Sequence, residues 1–239
     1  MVIYKGVALE KRTQFIIKEI SLDLSAESIL DIGCGTGSVA TELGKSGYDV
    51  TAIDLDLKSI DECKQNNRLD NVEFLLQNAE TMDLEKKFDV IIACEIIEHS
   101  KHPDLVVKSI RRHLNKDGIA IVSVPNGYSP WEIVVSRFLQ KSKLVAKFYR
   151  SPRLFKKMTG ASTPFYSNNA FCFHINFFSY GRFKKLLQNN GFKIMYVNHS
   201  DLGIFPEWKG FRVFKKVECK IADYVPHVLA GGWLMVIEK

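Results

Sequence analysis

Residues 28–37, SILDIGCGTG, set glycine at every second position directly behind a short apolar run. No other stretch constrains the fold as much. The run reads as a buried strand, and SVATELGKSG (38–47) follows at once with helical periodicity. Gly33, Gly35 and Gly37 let the backbone turn sharply and approach a ligand where a Cβ would clash. The start of the helix turns free N–H groups and the positive end of its dipole toward the same spot. A dinucleotide loop would carry its third glycine at position 38, which is Ser38. Asp31, two residues before Gly33, would repel a pyrophosphate but suits a ligand that brings an ammonium group.

Strand and helix signals alternate through the first 125 residues. Helical patterns occupy 8–20, 38–47, 58–69 and 102–114, and strand patterns 28–32, 49–54, 72–77, 88–94 and 118–124. The last of these strands is read as released by a turn at Asp117–Gly118. Continuous Val/Ile/Leu runs between amphipathic helices predict an α/β fold with a parallel, doubly wound sheet. Residues 126–178 break the rhythm with Pro130, Pro152, Pro164 and many aromatics. A helix (179–192) and strands at 193–200 and 233–239 then restore it. One domain, 1–239, therefore carries a long basic and aromatic insertion after its fifth strand, a length typical of lids and binding elements.

The second strand ends in Asp54, which a doubly wound sheet places at the switch point where ligands sit. A carboxylate there can accept hydrogen bonds from both hydroxyls of a ribose. After the third strand comes QNAE (77–80), where Asn78 and the backbone behind it could read an adenine edge. An ammonium end and an adenosine end together describe S-adenosylmethionine (SAM).

With these elements in register the chain resembles the class I SAM-dependent methyltransferases, over residues 28–125 and 179–239. The resemblance implies a seven-stranded Rossmann-like sheet of order 3-2-1-4-5-7-6 with the last strand antiparallel. It implies that Gly33, Gly35 and Gly37, with Cys34, surround the methionine part of SAM and that Asp31 contacts its amino group. Asp54 with Leu55 would bind the ribose, Asn78, Ala79 and Glu80 would flank the adenine, and Cys94 and Glu95 would border the methionine part. Many relatives carry an acid at the position of Asn78. A sandwich whose glycines only serve tight turns is the structural alternative.

SAM arrives with an activated methyl, so in-line positioning is the enzyme's main task and can supply roughly 7–11 kcal/mol. A base matters when the acceptor is a hydroxyl. CEIIEHSKHP (94–103) puts Glu95, Glu98 and His99 after the fourth strand, and FCFHINFF (171–178) adds His174 at the end of the insertion. EIIEH with a later histidine resembles the ubiquinone-biosynthesis O-methyltransferases and the small-RNA 3′-terminal 2′-O-methyltransferases. The second resemblance implies that Glu95, Glu98, His99 and His174 hold Mg²⁺ or Mn²⁺. A metal-free base, His99 or His174 with Glu98 nearby, and purely structural roles are the alternatives. His102 and His113 read as helix-surface residues, and His199 and His227 carry no motif.

The net charge of +6 hides a split. Residues 1–125 hold 15 basic and 21 acidic residues, residues 126–239 hold 18 and 6, so the halves carry −6 and +12. RFLQKSKLVAKFYRSPRLFKKM (137–158) has eight basic residues and no acid, interleaved with apolar ones. It suits a lid with phosphate recognition, an amphipathic helix on an anionic membrane, an RNA backbone, or a solvated face. Five scattered cysteines without a CxxC pair, no secretory pattern and no apolar run of membrane length point to a cytoplasmic protein, peripheral at the membrane if 137–158 docks there.

These readings lead to O-methylation of a small or lipid- or phosphate-linked acceptor such as a phenol, a quinone precursor or a sugar hydroxyl. Metal-assisted RNA 2′-O-methylation is the second reading. A non-catalytic SAM-binding protein is the third.

Overall fold

The computed structural model describes residues 7–22, 26–130, 132–133, 174–204 and 209–239. Helix α1 (Val7–Leu22) precedes β1 (Ser28–Ile32), α2 (Ser38–Lys45), β2 (Asp49–Asp54), α3 (Leu57–Asn66) and β3 (Val72–Leu76). Then come β4 (Phe88–Cys94), α4 (Pro103–His113) and β5 (Leu114–Pro125). The last part of the chain adds α5 (Tyr180–Asn189), β6 (Lys193–His199), α6 (Arg212–Ile221) and β7 (Gly232–Glu238). Seven strands form one sheet in the order β3-β2-β1-β4-β5-β7-β6. Strand β7 runs antiparallel to β5 and β6, and the other pairs are parallel. The expected fold is the observed one.

The sheet holds together because its central strands are apolar on both faces. On one side Leu30, Ile32, Ile91 and Val122 pack with Val106, Val107 and Ile110 of α4 and Phe183 and Leu187 of α5. On the other, Ile29, Val50 and Ile92 pack with Ile16 and Ile20 of α1, Leu43 of α2 and Ile60 of α3. Each buried Leu, Ile or Phe side chain contributes about 1.5–3 kcal/mol of transfer free energy. Helix ends follow local chemistry. Asp56 caps α3 by accepting from the Ser59 N–H at 3.1 Å, and Pro103 opens α4.

Two expectations need correction. Strand β5 begins at Leu114, because Leu114 pairs with Phe88 across a register shift and Asp117–Gly118 lies within the strand. A Cβ on Gly118 would stand 2.6 Å from the Asp89 carbonyl, so glycine here serves strand contact rather than strand release. His113 is buried, not on the helix surface. Its Nε2 accepts the Leu84 N–H at 3.0 Å and its Nδ1 donates to the Ser109 carbonyl at 2.8 Å.

Both ends of the 126–178 segment are tied down. Gly127 N–H donates to the Phe178 carbonyl at 2.9 Å, and a Cβ on Gly127 would meet Phe177 at 2.6 Å. The basic stretch 137–158 and Cys172 lie outside the described residues. No helix among the described residues is long and apolar enough to cross a membrane.

Candidate active site

The carboxyl ends of β1, β2, β4 and β5 share one edge of the sheet, where ligands of doubly wound folds bind. The glycine loop occupies the β1 corner. Gly33, Gly35 and Gly37 all have positive φ, at 77°, 52° and 69°. Their surroundings differ. A Cβ on Gly33 would fall 2.2 Å from Ile96, and one on Gly37 would meet Phe74 at 2.7 Å and Cys63 at 2.9 Å. A Cβ on Gly35 would meet nothing within 4 Å. The outer glycines permit packing, and the middle one faces open space.

The loop is fastened to β2. Gly33 and Cys34 N–H both donate to the Ile53 carbonyl, at 2.8 and 3.0 Å. Asp54 accepts from Gly35 N–H on Oδ2 (2.8 Å) and from Asp56 N–H on Oδ1 (2.9 Å), which fixes its carboxylate with lone pairs to spare. Asp31 is buried, and burial, followed by the nearby Asp54 charge, raises its pKa to about 7 against the opposing pull of Arg12. Contact with Cys63, then burial, pushes the Cys34 thiol up, and burial pushes Cys94 up to about 12, so both stay neutral thiols.

Leu55 is 70% exposed beside Asp54, an apolar surface left open at the β2 end. Asn78 Oδ1 accepts from Glu80 N–H at 2.9 Å, and Ala79 packs against the core. Glu80 ties two loops together at this end of the sheet. Its Oε1 accepts from Ser100 Oγ (2.7 Å) and the N–H groups of Lys101 and His102, latching the loop after β3 to the loop after β4.

The turn after β4 carries the candidate reactive groups. Glu95 adopts a left-handed φ of 57°, a strain of about 1–3 kcal/mol that clusters at functional sites. Its carboxylate accepts from Ser123 Oγ at 2.9 Å and lies 3.6 Å from Arg12 of α1. One helical turn, Ile97–His99, then buries Glu98 completely. Among the described residues no hydrogen-bond donor reaches either Glu98 carboxylate oxygen. Burial, with the charge of Glu95 behind it, pushes its pKa well above the usual carboxylate range.

Residues beyond the insertion complete the cluster. The N–H groups of Ile175 and Asn176 each donate to the Glu98 carbonyl at 2.9 Å, which brings His174 to the turn. The His99 and His174 rings lie 4.9 Å apart, and His99 Nε2 is 3.6 Å from Glu98. Ligand atoms of Glu98, His99 and His174 lie within 4.8 Å of one another. Three of the four expected metal ligands therefore converge, and the carboxylate of Glu95 is instead engaged with Ser123 and Arg12. A buried carboxylate without a donor beside two imidazoles fits a divalent cation.

Two site residues escaped the sequence reading. Glu132, buried, places Oε2 3.0 Å from His174 Nδ1. Burial lowers the His174 pKa, but the hydrogen bond and charge of Glu132 outweigh it and leave it raised. Glu132 is the sole acid of residues 126–178, a signal that could have singled it out. Arg12 is the second, and nothing in the helical pattern of 8–20 distinguishes it.

The sheet order and the glycine-loop corner define a class I SAM-dependent methyltransferase fold. A family described as a methyltransferase domain matches residues 8–197, and the chain belongs to that family. The ubiquinone biosynthesis O-methyltransferase of Rickettsia typhi is 36% identical over 121 residues, 48% of this chain and 49% of that protein. The chain thus matches about half the length of such curated relatives. Among solved structures, an S-adenosylmethionine-dependent methyltransferase from Clostridium acetobutylicum has a TM-score of 0.63 at 15% identity, covering 96% of this chain and 91% of its own. Magnesium protoporphyrin IX methyltransferase from Synechocystis with bound SAH gives 0.61 at 13% identity, with 97% and 83% covered. At such identities the likeness is one of fold.

Proposed function

We propose that this protein transfers the methyl group of SAM to a hydroxyl oxygen of a small or lipid- or phosphate-linked acceptor, with a phenol, quinone precursor or sugar hydroxyl as the class. The observation that carries the reading is the buried Glu98 carboxylate, which no donor among the described residues reaches, beside His99 and His174 and next to the glycine-loop corner. Asp31 and the glycine loop would hold the amino-acid end of SAM, Asp54 the ribose, and Asn78 with Ala79 the adenine. The sulfonium–methyl bond breaks as the oxygen–methyl bond forms, S-adenosylhomocysteine leaves, and the hydroxyl proton passes to an imidazole. His174, with Glu132 on its Nδ1, keeps Nε2 for that proton. Residues 126–178 would close over the acceptor. The name shared by the curated relatives supports oxygen as the acceptor atom.

Alternatively, with His174 Nε2 serving as a ligand instead of a base, Glu98, His99 and His174 would hold a divalent cation, whose chemistry when bound is to polarise an acceptor hydroxyl. That cluster favours a second reading, in which the acceptor is a vicinal diol such as the terminal ribose of an RNA. Incubation with SAM and a panel of phenols, catechols, glycans and short RNAs, with chelator or Mn²⁺, tests both readings by the S-adenosylhomocysteine released. Turnover on phenols or glycans supports the first. Mn²⁺-dependent turnover on RNA supports the second. SAM binding without turnover on any member would leave a SAM-binding protein and contradict both.

A further inference from the structure

Helix α6 is built inside out. Its inward stripe is Lys215, Glu218 and Cys219, while Val213, Val217 and Ile221 are 73%, 51% and 47% exposed. The inward charges explain the orientation. Lys215 Nζ lies 2.7 Å from Asp201 and 3.4 Å from Glu218, and Glu218 accepts the Leu202 and Ile204 N–H groups at 3.0 and 2.7 Å. Breaking a buried ion pair by removing one partner is strongly destabilising, so the helix cannot roll to bury its valines. Lys11 of α1 adds a second anchor, donating to the Cys219 carbonyl at 2.7 Å and to Asp223 at 2.6 Å.

The outward face is cationic as well as apolar. Lys216 and Lys220 are exposed among the valines, and Arg212 at the helix start is exposed but lies 3.8 Å from Glu10 of α1. Among the described residues of this helix and the turn after it, the acids are engaged elsewhere: Glu218 is turned inward and Asp223 is paired with Lys11. Tyr224, in that turn, is 89% exposed. We propose that this face of α6 docks the protein on an anionic lipid surface, with the valines entering the headgroup boundary and the lysines meeting lipid phosphates. A second copy of the chain fits poorly. A two-fold contact would bring Lys216 and Lys220 against their own images. The face is distinct from the basic stretch 137–158, and docking requires no methyl transfer.

Co-sedimentation of the full chain with phosphatidylcholine vesicles, with and without phosphatidylglycerol, tests this, and the thermal midpoint of each variant reports folding. Binding should require phosphatidylglycerol and weaken as salt rises. The pairs Val213→Ser with Val217→Ser, and Lys216→Gln with Lys220→Gln, should each weaken binding about tenfold or more at an unchanged thermal midpoint. Four results would overturn the proposal: no vesicle binding by the unaltered chain, equal binding to both vesicle types, wild-type binding by both variants, or a dimer in solution that the valine variant dissociates.

Discussion

Glu132 Oε2 stands 3.0 Å from Nδ1 of His174 although 42 positions separate them in the chain. The contact occupies one of the two imidazole nitrogens. With Nδ1 committed to the carboxylate, Nε2 is left for a proton or a cation.

Glu132→Gln should therefore lower acceptor methylation about 10–100-fold while SAM affinity holds. The pH profile should move with it. Glu132 keeps the His174 pKa raised, and the base works only when deprotonated, so activity rises with pH through that pKa. In the variant the rise should occur at lower pH, as rate–pH curves of both proteins would show. A profile that stays in place at reduced activity would reduce Glu132 to packing.

Glu98 sets a pH dependence of stability in metal-free protein. Its folded pKa lies above its unfolded value, so its contribution is fully present below about 4.5 and is lost as pH rises through the folded pKa. Melting curves in chelator should show stability falling over that interval. Mn²⁺ should restore it, and Glu98→Gln should remove both effects. A midpoint indifferent to Mn²⁺ at every pH would argue for a metal-free base.

Asp31 predicts proton-linked SAM binding. With its pKa near 7, the ammonium of SAM would favour the ionised form, and affinity should rise with pH up to about 7 and then level. Calorimetry in buffers of differing ionisation heat should detect proton release below that pH. Asp31→Asn should abolish the linkage.

The glycines predict separate outcomes. Gly37→Ala forces a Cβ onto Phe74 and Cys63 and should cost stability on the order of 1–3 kcal/mol, read by denaturant unfolding. Gly35→Ala finds space for its Cβ and should cost only about 1 kcal/mol of left-handed backbone strain. Its larger effect should fall on SAM affinity if, as proposed, the ligand occupies the open space there.

Much of this was legible in the residues. Strands buried on both faces read as unbroken apolar runs, which is why 28–32, 49–54 and 88–94 match the observed bounds. The start of β5 was not, because Asp117–Gly118 is turn chemistry that the Leu114–Phe88 pairing absorbs. In the site, the glycines, Asp54, Glu98 and His99 sit next to strand ends, where sequence order and spatial order coincide. Glu132 and Arg12 reach the site through tertiary returns, one beside His174 and one from the helix before β1. No periodic pattern records such a return, although Glu132 stands out as the sole acid of residues 126–178. His113 misled for the same reason, since the Leu84 N–H that it accepts comes from another loop.

Calorimetric titration of SAM into chelator-treated protein tests the central claim most directly. The account predicts one-to-one binding that Asp54→Ala weakens by roughly 1–3 kcal/mol, since the ribose hydroxyls would lose their acceptor. Absence of SAM binding by the unaltered chain, with chelator and with Mn²⁺ alike, would contradict it.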